Sequence, residues 1–195
     1  MAIIQFKITL LGSKPPIWRR VQMPGHYRMD HVHQVIQLAM GWTNSHLHEF
    51  TIKGKQIGMA ESAWDDDLIE ESEVYFEELK LKKGDNFRYT YDFGDDWTHE
   101  VLIESIEDGD IDVPVCLKGK GACPPEDCGG VWGYEDILEA LKDPDSPEYE
   151  DFREWLPEGF DPAVFPLASI NEELAEFGQW QQKHPEDKSS PWHVI

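Results

Sequence analysis

Alternating apolar and polar residues in the first third of the chain predict several β-strands. The segment IIQFKITL at residues 3–10 alternates in part, and PPIWRRVQM follows it after a turn at Gly12. Two prolines suit the start of a strand but not its middle. HLHEFTIKGKQIG at residues 46–58 has the same strand character, with a turn at Gly54. These segments predict an N-terminal sheet that begins with a hairpin.

A β-ribbon is predicted around YDFGDDWTHE, residues 91–100, where three aspartates and a histidine stand among aromatic residues. Period-two spacing puts two sets of residues on one face, namely Phe87, Tyr89, Tyr91 and Phe93, and Trp97, His99, Val101 and Ile103. If these faces coincide, the loop is residues 94–96, Tyr91 pairs with His99, and a β-bulge fits beside the loop. His99 is then expected to be buried, with a polar partner from another motif.

Helical periodicity appears once early and repeatedly late in the chain. Asp30 is a predicted N-cap, apolar residues then recur at helical spacing, and Gly41 ends the helix. Helical spacing resumes at Tyr134. Ser146 and Asp161, each followed by proline, predict two further helix starts. A last helix is predicted from about Leu167 to Trp180.

These elements predict an α+β fold with a mostly antiparallel sheet, an early helix and a C-terminal group of helices. The acidic run at residues 61–73 is expected to be a solvated loop, and residues 113–134 look too irregular for helix or strand. One domain over residues 1–180 and a polar tail over residues 181–195 are expected.

Composition narrows the classes of partner. The 195 residues include 39 acidic and 17 basic ones, for a formal net charge of -22, so duplex DNA and other polyanions should be poor partners. The start has no basic region ahead of a long apolar run, and no apolar stretch approaches the about 20 residues that cross a bilayer. We therefore expect a cytoplasmic protein without membrane contact.

The cysteines and histidines offer candidate metal ligands. Cys116, Cys123 and Cys128 lack CxxC spacing, so reduced thiols are expected and a structural zinc ribbon is not. His46 and His48 would share one face of a strand, and two neutral imidazoles there could hold a zinc-like ion. A third ligand could come from His99, Cys116 or Cys123. The alternatives are structural histidines, cysteines buried as small apolar residues, and an exposed acidic turn at the aspartates.

Six motifs in a fixed order carry a resemblance to a known family. They are PPIWRRV, AMGW, HLHEF, YTYDFGDDWTHEV, CPPEDCGG and GYEDILEAL, which together span about residues 3–175. In this combination the chain resembles the plasmid pRiA-four-b open-reading-frame-three-like family, some members of which carry a resolvase-type transposon label. The resemblance implies a single compact α+β domain and an association with plasmids or mobile elements. It brings no catalytic residues.

Three functions are compatible with these motifs. The first is a non-enzymatic accessory or binding module whose aromatic and acidic surface engages a protein or peptide, a basic one included. The second is a metal-dependent, zinc-like hydrolase in which a carboxylate of the motifs acts as general base. The third, a resolvase-type recombination protein, is disfavoured by the acidic charge. The predicted motif surface comprises Trp18, Arg19, Trp42, Glu49, Asp92, Asp95, Asp96, Trp97, Glu126, Asp127, Cys128 and Trp132.

Overall fold

One eight-stranded sheet organises the protein in the computed structural model, which describes residues 1–59 and 67–185. The strand order is β5-β4-β3-β6-β7-β1-β2-β8, and all neighbouring pairs are antiparallel except β4 and β5. The strands are β1 (Ala2–Leu10), β2 (Trp18–Pro24), β3 (His48–Ile52), β4 (Lys55–Gly58), β5 (Ile69–Glu70), β6 (Asn86–Tyr91), β7 (Trp97–Asp108) and β8 (Val115–Lys120). The predicted α+β fold is confirmed.

In the part of the chain that the structure describes, four α-helices accompany the sheet: α1 (Met29–Met40), α2 (Gly130–Ala140), α3 (Pro147–Trp155) and α4 (Leu167–Lys183). Every residue of α1 is buried, because the helix contacts β2, β4, α4 and the short 3-10 turn Glu71–Glu73. A helix enclosed in this way must satisfy its polar side chains internally. This requirement places a polar network in the core, next to the candidate site.

Alternation along the strands builds the core as the sequence predicted. In β1 the side chains of Phe6, Ile8 and Leu10 are buried, while the residues between them are partly exposed. Val101 and Ile103 of β7 are fully buried. Aromatic and β-branched residues on one face of a twisted sheet stabilise it through burial against the helix layer.

The ribbon of β6 and β7 has a different register from the predicted one, and Phe93, predicted on the apolar face, is exposed in the loop. Tyr91 pairs with Trp97 and Tyr89 with His99, so the predicted pairing of Tyr91 with His99 is wrong. The loop has five residues, 92–96, instead of three. It closes locally, because the Asp96 amide donates to the Asp92 carbonyl at 2.7 Å. A shift of two residues preserves the faces, which is why the burial argument could not detect it.

Three predicted helix starts need correction. Arg28 is the N-cap of α1, and Asp30 lies in the first turn, where its carboxylate pairs with the Arg28 guanidinium at 2.8 Å. Helix α2 begins at Gly130, four residues before the predicted start. Asp161 accepts a hydrogen bond from the Ala163 amide in a turn that does not continue as a helix. Asx turns and N-caps use the same local bond, so sequence alone does not separate them.

Two predicted loops also differ from the structure. Residues 115–120, expected to be irregular, form β8 because they pair with the exposed edge of β2. Within the acidic run, Glu71 is 2 % exposed and is therefore not solvated. Residues 60–66 of that run lie outside the described residues. Both differences arise because elements distant in sequence pair with β8 and bury Glu71.

The C-terminal helix agrees with its prediction and extends slightly further. Helix α4 ends at Lys183, beyond the predicted end at Trp180 and the expected domain boundary at residue 180. Residues 186–195 of the predicted tail lie outside the described residues. Within residues 1–59 and 67–185, none of the helices has the length and apolar character needed to span a bilayer.

Candidate functional site

Three loops meet at one end of the sheet: residues 41–47 after α1, residues 92–96 of the ribbon, and residues 121–129 after β8. The Asp92 amide donates to the Leu47 carbonyl at 2.9 Å, which ties the ribbon loop to the first segment. The Asp95 carboxylate accepts from the Gly129 amide at 3.1 Å, which ties it to the third. Three of the sequence motifs therefore converge.

Close backbone packing explains the two glycines of CPPEDCGG. A Cβ atom at Gly130 would lie 2.3 Å from the Asp95 carbonyl oxygen, and Gly130 has φ of 70°. Gly129 also has a positive φ, 88°. Only glycine adopts such a backbone at so short a distance without displacing its neighbour. These residues let the third loop lie directly against the ribbon loop.

A histidine and three carboxylates lie around one point where the loops meet. The Nε2 atom of His46 is 3.2 Å from Asp127 Oδ1, 3.8 Å from Asp92 Oδ2 and 4.0 Å from Glu126 Oε2. One ligand atom each from His46, Asp92 and Asp127 lie within 4.8 Å of one another. Ligands at about 2.0–2.2 Å from a tetrahedral ion are about 3.3–3.6 Å apart, close to the 3.2 and 3.8 Å that separate His46 from Asp127 and Asp92.

Glu126 is held by one oxygen and presents the other. Its Oε1 accepts hydrogen bonds from the Thr43 amide at 2.8 Å, the Thr43 hydroxyl at 2.9 Å and the Tyr91 hydroxyl at 3.1 Å. Burial raises the pKa of Tyr91, so its phenol remains a donor. Within residues 1–59 and 67–185, Glu126 Oε2 is buried without a hydrogen-bond partner. This oxygen faces His46.

The electrostatics of the cluster favour a cation. Among the described residues, no lysine or arginine forms an ion pair with Asp92, Glu126 or Asp127, and His46 is their sole ionic partner. Three carboxylates close together repel one another unless a positive charge lies between them. The side chain of Asp127 is 73 % exposed and that of Asp92 is 10 % exposed. The cluster therefore has one buried wall and one side open to solvent.

His48, two residues from His46, lies in a different environment. Its Nε2 is 2.7 Å from the Glu71 carboxylate, and its ring stacks on His33 with centroids 3.4 Å apart. Strand β3 begins at His48, so His46 stands before the strand, and the two imidazoles have different partners. That both rings point to one face stays a prediction.

His99 is buried as predicted, but its partner belongs to the same ribbon. The residue is 0 % exposed, and its Nδ1 is 3.3 Å from the Tyr89 carbonyl oxygen. Burial lowers the pKa of His99 to about 4, so the ring is neutral at physiological pH. The expectation of a partner from another motif is wrong, and the backbone contact corresponds to the structural alternative.

The cysteines lie outside the cluster around His46. Cys116 is buried in β8, Cys123 packs beneath Gly41, and the Cys128 thiol donates a weak hydrogen bond to the Gly130 carbonyl at 3.8 Å. Burial raises the pKa of all three thiols, that of Cys128 to about 12. Protonated thiols are poor metal ligands and poor nucleophiles. The structure brings His46, Asp92 and Asp127 together, without His48, His99 or these cysteines.

Other members of the predicted motif surface divide between core and exterior. Trp42 and Trp97 are buried, so they cannot act as surface anchors, whereas Trp132 is 80 % exposed. Arg19 is also fully buried and donates to the Ala39 and Met40 carbonyls at the end of α1. Partly exposed positions are Trp18, Glu49 and Asp95, and Asp96 is exposed in the ribbon loop.

The sequence pattern does not distinguish three residues that lie in or beside this region. His33 projects from α1 and contacts the Tyr89 hydroxyl at 2.9 Å and the Asn44 side chain at 2.8 Å. Glu71 is one acid among many in its segment, and nothing local distinguishes it. Tyr91 was assigned to the ribbon face, and its hydroxyl contact with Glu126 could not be inferred from spacing.

Comparisons with known proteins agree with the motifs. The model of the plasmid pRiA4b ORF-3-like protein family matches residues 2–169. The chain belongs to this family. It is 35 % identical over 186 residues to the uncharacterized protein y4hQ of Sinorhizobium fredii, covering 93 % of this chain and 96 % of that protein.

A solved structure shares the fold. It is the crystal structure of MM3350 from Methanosarcina mazei Go1, described as a protein of unknown function. The TM-score is 0.75 at 39 % sequence identity, and the match covers 86 % of this chain and 96 % of that one. This match shows that the chain and MM3350 share one fold.

Proposed function

We propose that this member of the plasmid pRiA4b ORF-3-like family binds a divalent metal ion through His46, Asp92 and Asp127. The observation that carries the proposal is the convergence of their ligand atoms within 4.8 Å, with no lysine or arginine paired to these carboxylates among the described residues. A divalent ion would replace mutual repulsion by attraction. Glu126 Oε2, which has no hydrogen-bond partner among the described residues, lies 4.0 Å from His46 Nε2.

The donor set favours a borderline or hard cation. One imidazole nitrogen and two carboxylate oxygens suit zinc, manganese or iron(II), whereas thiolate-rich sites select softer ions. The three cysteines do not contribute to this group. The ligand set therefore suits a zinc-like ion, but it contains more oxygen ligands than the sequence predicted.

Water activation is the chemistry that such an ion would supply. The high exposure of Asp127 leaves the outer side of the site open, so water can complete the coordination. A bound divalent ion lowers the pKa of that water, and a carboxylate can accept its proton. Glu126 is suited to this role, because its Oε1 is fixed and its Oε2 has no hydrogen-bond partner among the described residues. This arrangement supports the metal-dependent hydrolase over the resolvase.

Calorimetric titration of chelator-treated protein with Zn²⁺ and Mn²⁺ tests the proposal. Wild-type protein should bind one ion, and Asp127→Asn and His46→Gln should each weaken binding by at least about tenfold. Asp96→Asn is the matched control, because Asp96 lies in the same loop as Asp92 but outside the group. Absence of binding by wild-type protein, or equal weakening by the control, would contradict the proposal.

A second candidate is the binding module, supported by the aromatic residues near the cluster. Phe93 and Trp132 are 55 % and 80 % exposed, and each stands two residues from the Asp95–Gly130 contact between the loops. Exposed aromatic rings beside carboxylates suit a basic peptide. Fluorescence titration with a lysine-rich peptide should give binding that Trp132→Ala abolishes and Trp155→Ala, at an exposed tryptophan of α3, preserves. Equal loss in both variants would contradict a specific surface.

A further inference from the structure

We propose a second ligand site, independent of the metal cluster, in a cavity of about 420 Å³ beside the two termini of the described chain. Its walls include Met1, the turn before α1 and the C-terminal end of α4, with Gln181 among the lining residues. The site would bind a small, uncharged, planar molecule that presents a hydrogen-bond donor next to an acceptor. The volume is within the range of small-molecule sites, about 300–1,000 Å³.

Gln181 is the residue that points to a ligand. It is 5 % exposed, and neither its Oε1 nor its Nε2 has a hydrogen-bond partner in the part of the chain that the structure describes. A buried amide without partners is unfavourable compared with an apolar side chain of the same shape. A ligand that supplies a hydrogen-bond donor and an acceptor would satisfy both polar atoms of this amide.

The position of Gln181 on α4 strengthens this inference. The buried face of the helix carries Ile170, Leu174 and Phe177, and Gln181 continues that face one turn later. The spacing of three and four residues is that of a continuous apolar stripe. Leucine or methionine would satisfy packing here at no cost in hydrogen bonds. Packing alone thus does not account for the glutamine.

The walls of the cavity suit a planar ligand. Tyr27, His31 and Tyr75 line it, and the Tyr27 ring packs edge-on to His31 with centroids 5.2 Å apart. Burial raises the pKa of Tyr27, so its phenol stays neutral. Aromatic rings offer flat faces for stacking, while the amide of Gln181 can recognise a donor and acceptor side by side.

Charge around the cavity argues against an anionic ligand. Glu77, Asp110 and Asp112 line it, and the Arg28 guanidinium is already paired with Asp30. A phosphate or carboxylate would meet these three acids, which outnumber the α-amino group of Met1 in the described lining. The ligand class is therefore a neutral planar amide or imide, for which nicotinamide and uracil are suitable probes.

Saturation-transfer NMR with the full chain tests this site. Nicotinamide or uracil should bind, and N,N-dimethylnicotinamide, which lacks the amide protons, should bind at least about tenfold more weakly. Gln181→Leu should lose nicotinamide binding while its melting temperature stays equal or rises, because the unsatisfied amide is removed. Gln56→Leu, at an exposed position of β4 outside the cavity, should bind as wild type.

The same measurements can overturn the proposal. It fails if no probe binds at millimolar concentration, if the dimethyl analogue binds equally well, or if Gln181→Leu retains binding. All titrations are run with chelator present. Amide binding under that condition supports this cavity whether or not the metal cluster binds an ion, so the two proposals fail separately.

Discussion

His46 and His48 are two residues apart in the sequence, yet they belong to regions of opposite character. His48 lies in the interior, where Glu71 and His33 contact it and hardly any surface remains exposed. His46 lies at the meeting point of three loops, next to carboxylates that have no lysine or arginine partner among the described residues. In the interior the described contacts join protein groups to one another, whereas the loop cluster has one side open to solvent.

The difference shows how the same residue types acquire different roles. In the interior, each carboxylate or imidazole described has a protein group at hydrogen-bonding distance, so removing one group exposes the desolvation cost of its partner. In the loop cluster, the carboxylates repel one another, and Glu126 Oε2 has no hydrogen-bond partner among the described residues. Stability should therefore depend on the first region, and ligand binding on the second.

The largest expected effect comes from breaking the interior pair. His48→Ala should reduce the free energy of unfolding by about 3 kcal/mol or more, because the buried Glu71 carboxylate loses its 2.7 Å partner. His46→Ala in metal-free protein should change it by less than about 1 kcal/mol, since the side chain is partly exposed. Urea denaturation at pH 7 measures both. Similar losses in the two variants would erase the distinction between the regions.

A second effect concerns the neutral imidazole of His99. Its folded-state pKa of about 4 lies below the ordinary 6.5, so the unfolded chain takes up this proton first as the pH falls. The contribution of the neutral His99 ring to the free energy of unfolding is present above pH 6.5. It is lost progressively between pH 6.5 and pH 4, by on the order of 3 kcal/mol.

Comparison with His99→Phe isolates this contribution from that of the many carboxylates. The difference in unfolding free energy between wild type and variant should shrink, or reverse in favour of the variant, as the pH is lowered through that window. Urea denaturation at pH 7.5, 6, 5 and 4 provides the measurement. A pH-independent difference would show that the ring titrates normally.

Metal addition should stabilise only a chain with an intact loop cluster. An ion present at 100 times its dissociation constant should raise the free energy of unfolding by about 2.7 kcal/mol, because it binds the folded state. Thermal melting with Zn²⁺ or Mn²⁺ should show this shift in wild type and in Asp96→Asn, but not in Asp92→Asn. A shift of equal size in all three would place the ion elsewhere.

The smallest expected effect is that of the exposed aromatic residues beside the cluster. Phe93→Ala should change the free energy of unfolding by less than about 0.5 kcal/mol, since the side chain is 55 % exposed and lies in a loop. Its metal affinity should equal that of wild type. A loss above 1 kcal/mol in urea denaturation would mean that the ribbon loop depends on this ring for its conformation.

Sequence patterns predicted the fold class, the first hairpin, the early helix and the buried faces of the ribbon. These features depend on period-two and helical alternation, which local residues express directly. The burial of His99 followed from the same alternation. Strand β8 was missed because its residues are irregular in pattern and form a strand through pairing with β2.

The candidate site was predicted in part. His46, Asp92, Glu126 and Asp127 were all recognised as members of motifs, because polar groups among glycines and aromatic residues stand out from a simple surface pattern. The loop backbones decided which of these side chains lie together. They also decided that His48, His99 and the cysteines lie outside the group. Asp92 and Asp127 both adopt φ of 55°, a conformation that no periodicity indicates.

The sequence by itself determined which residues are apolar, which carry charge and how strands and helices alternate, because these properties act over short stretches of chain. Tertiary structure alone decided that Glu71 is buried beside His48, and that Glu126 and Asp127 lie against His46, about 80 residues away in the sequence. The physical reason is that long-range contacts select among locally equivalent side chains: an acid becomes a buried partner or a candidate ligand according to what the fold places next to it.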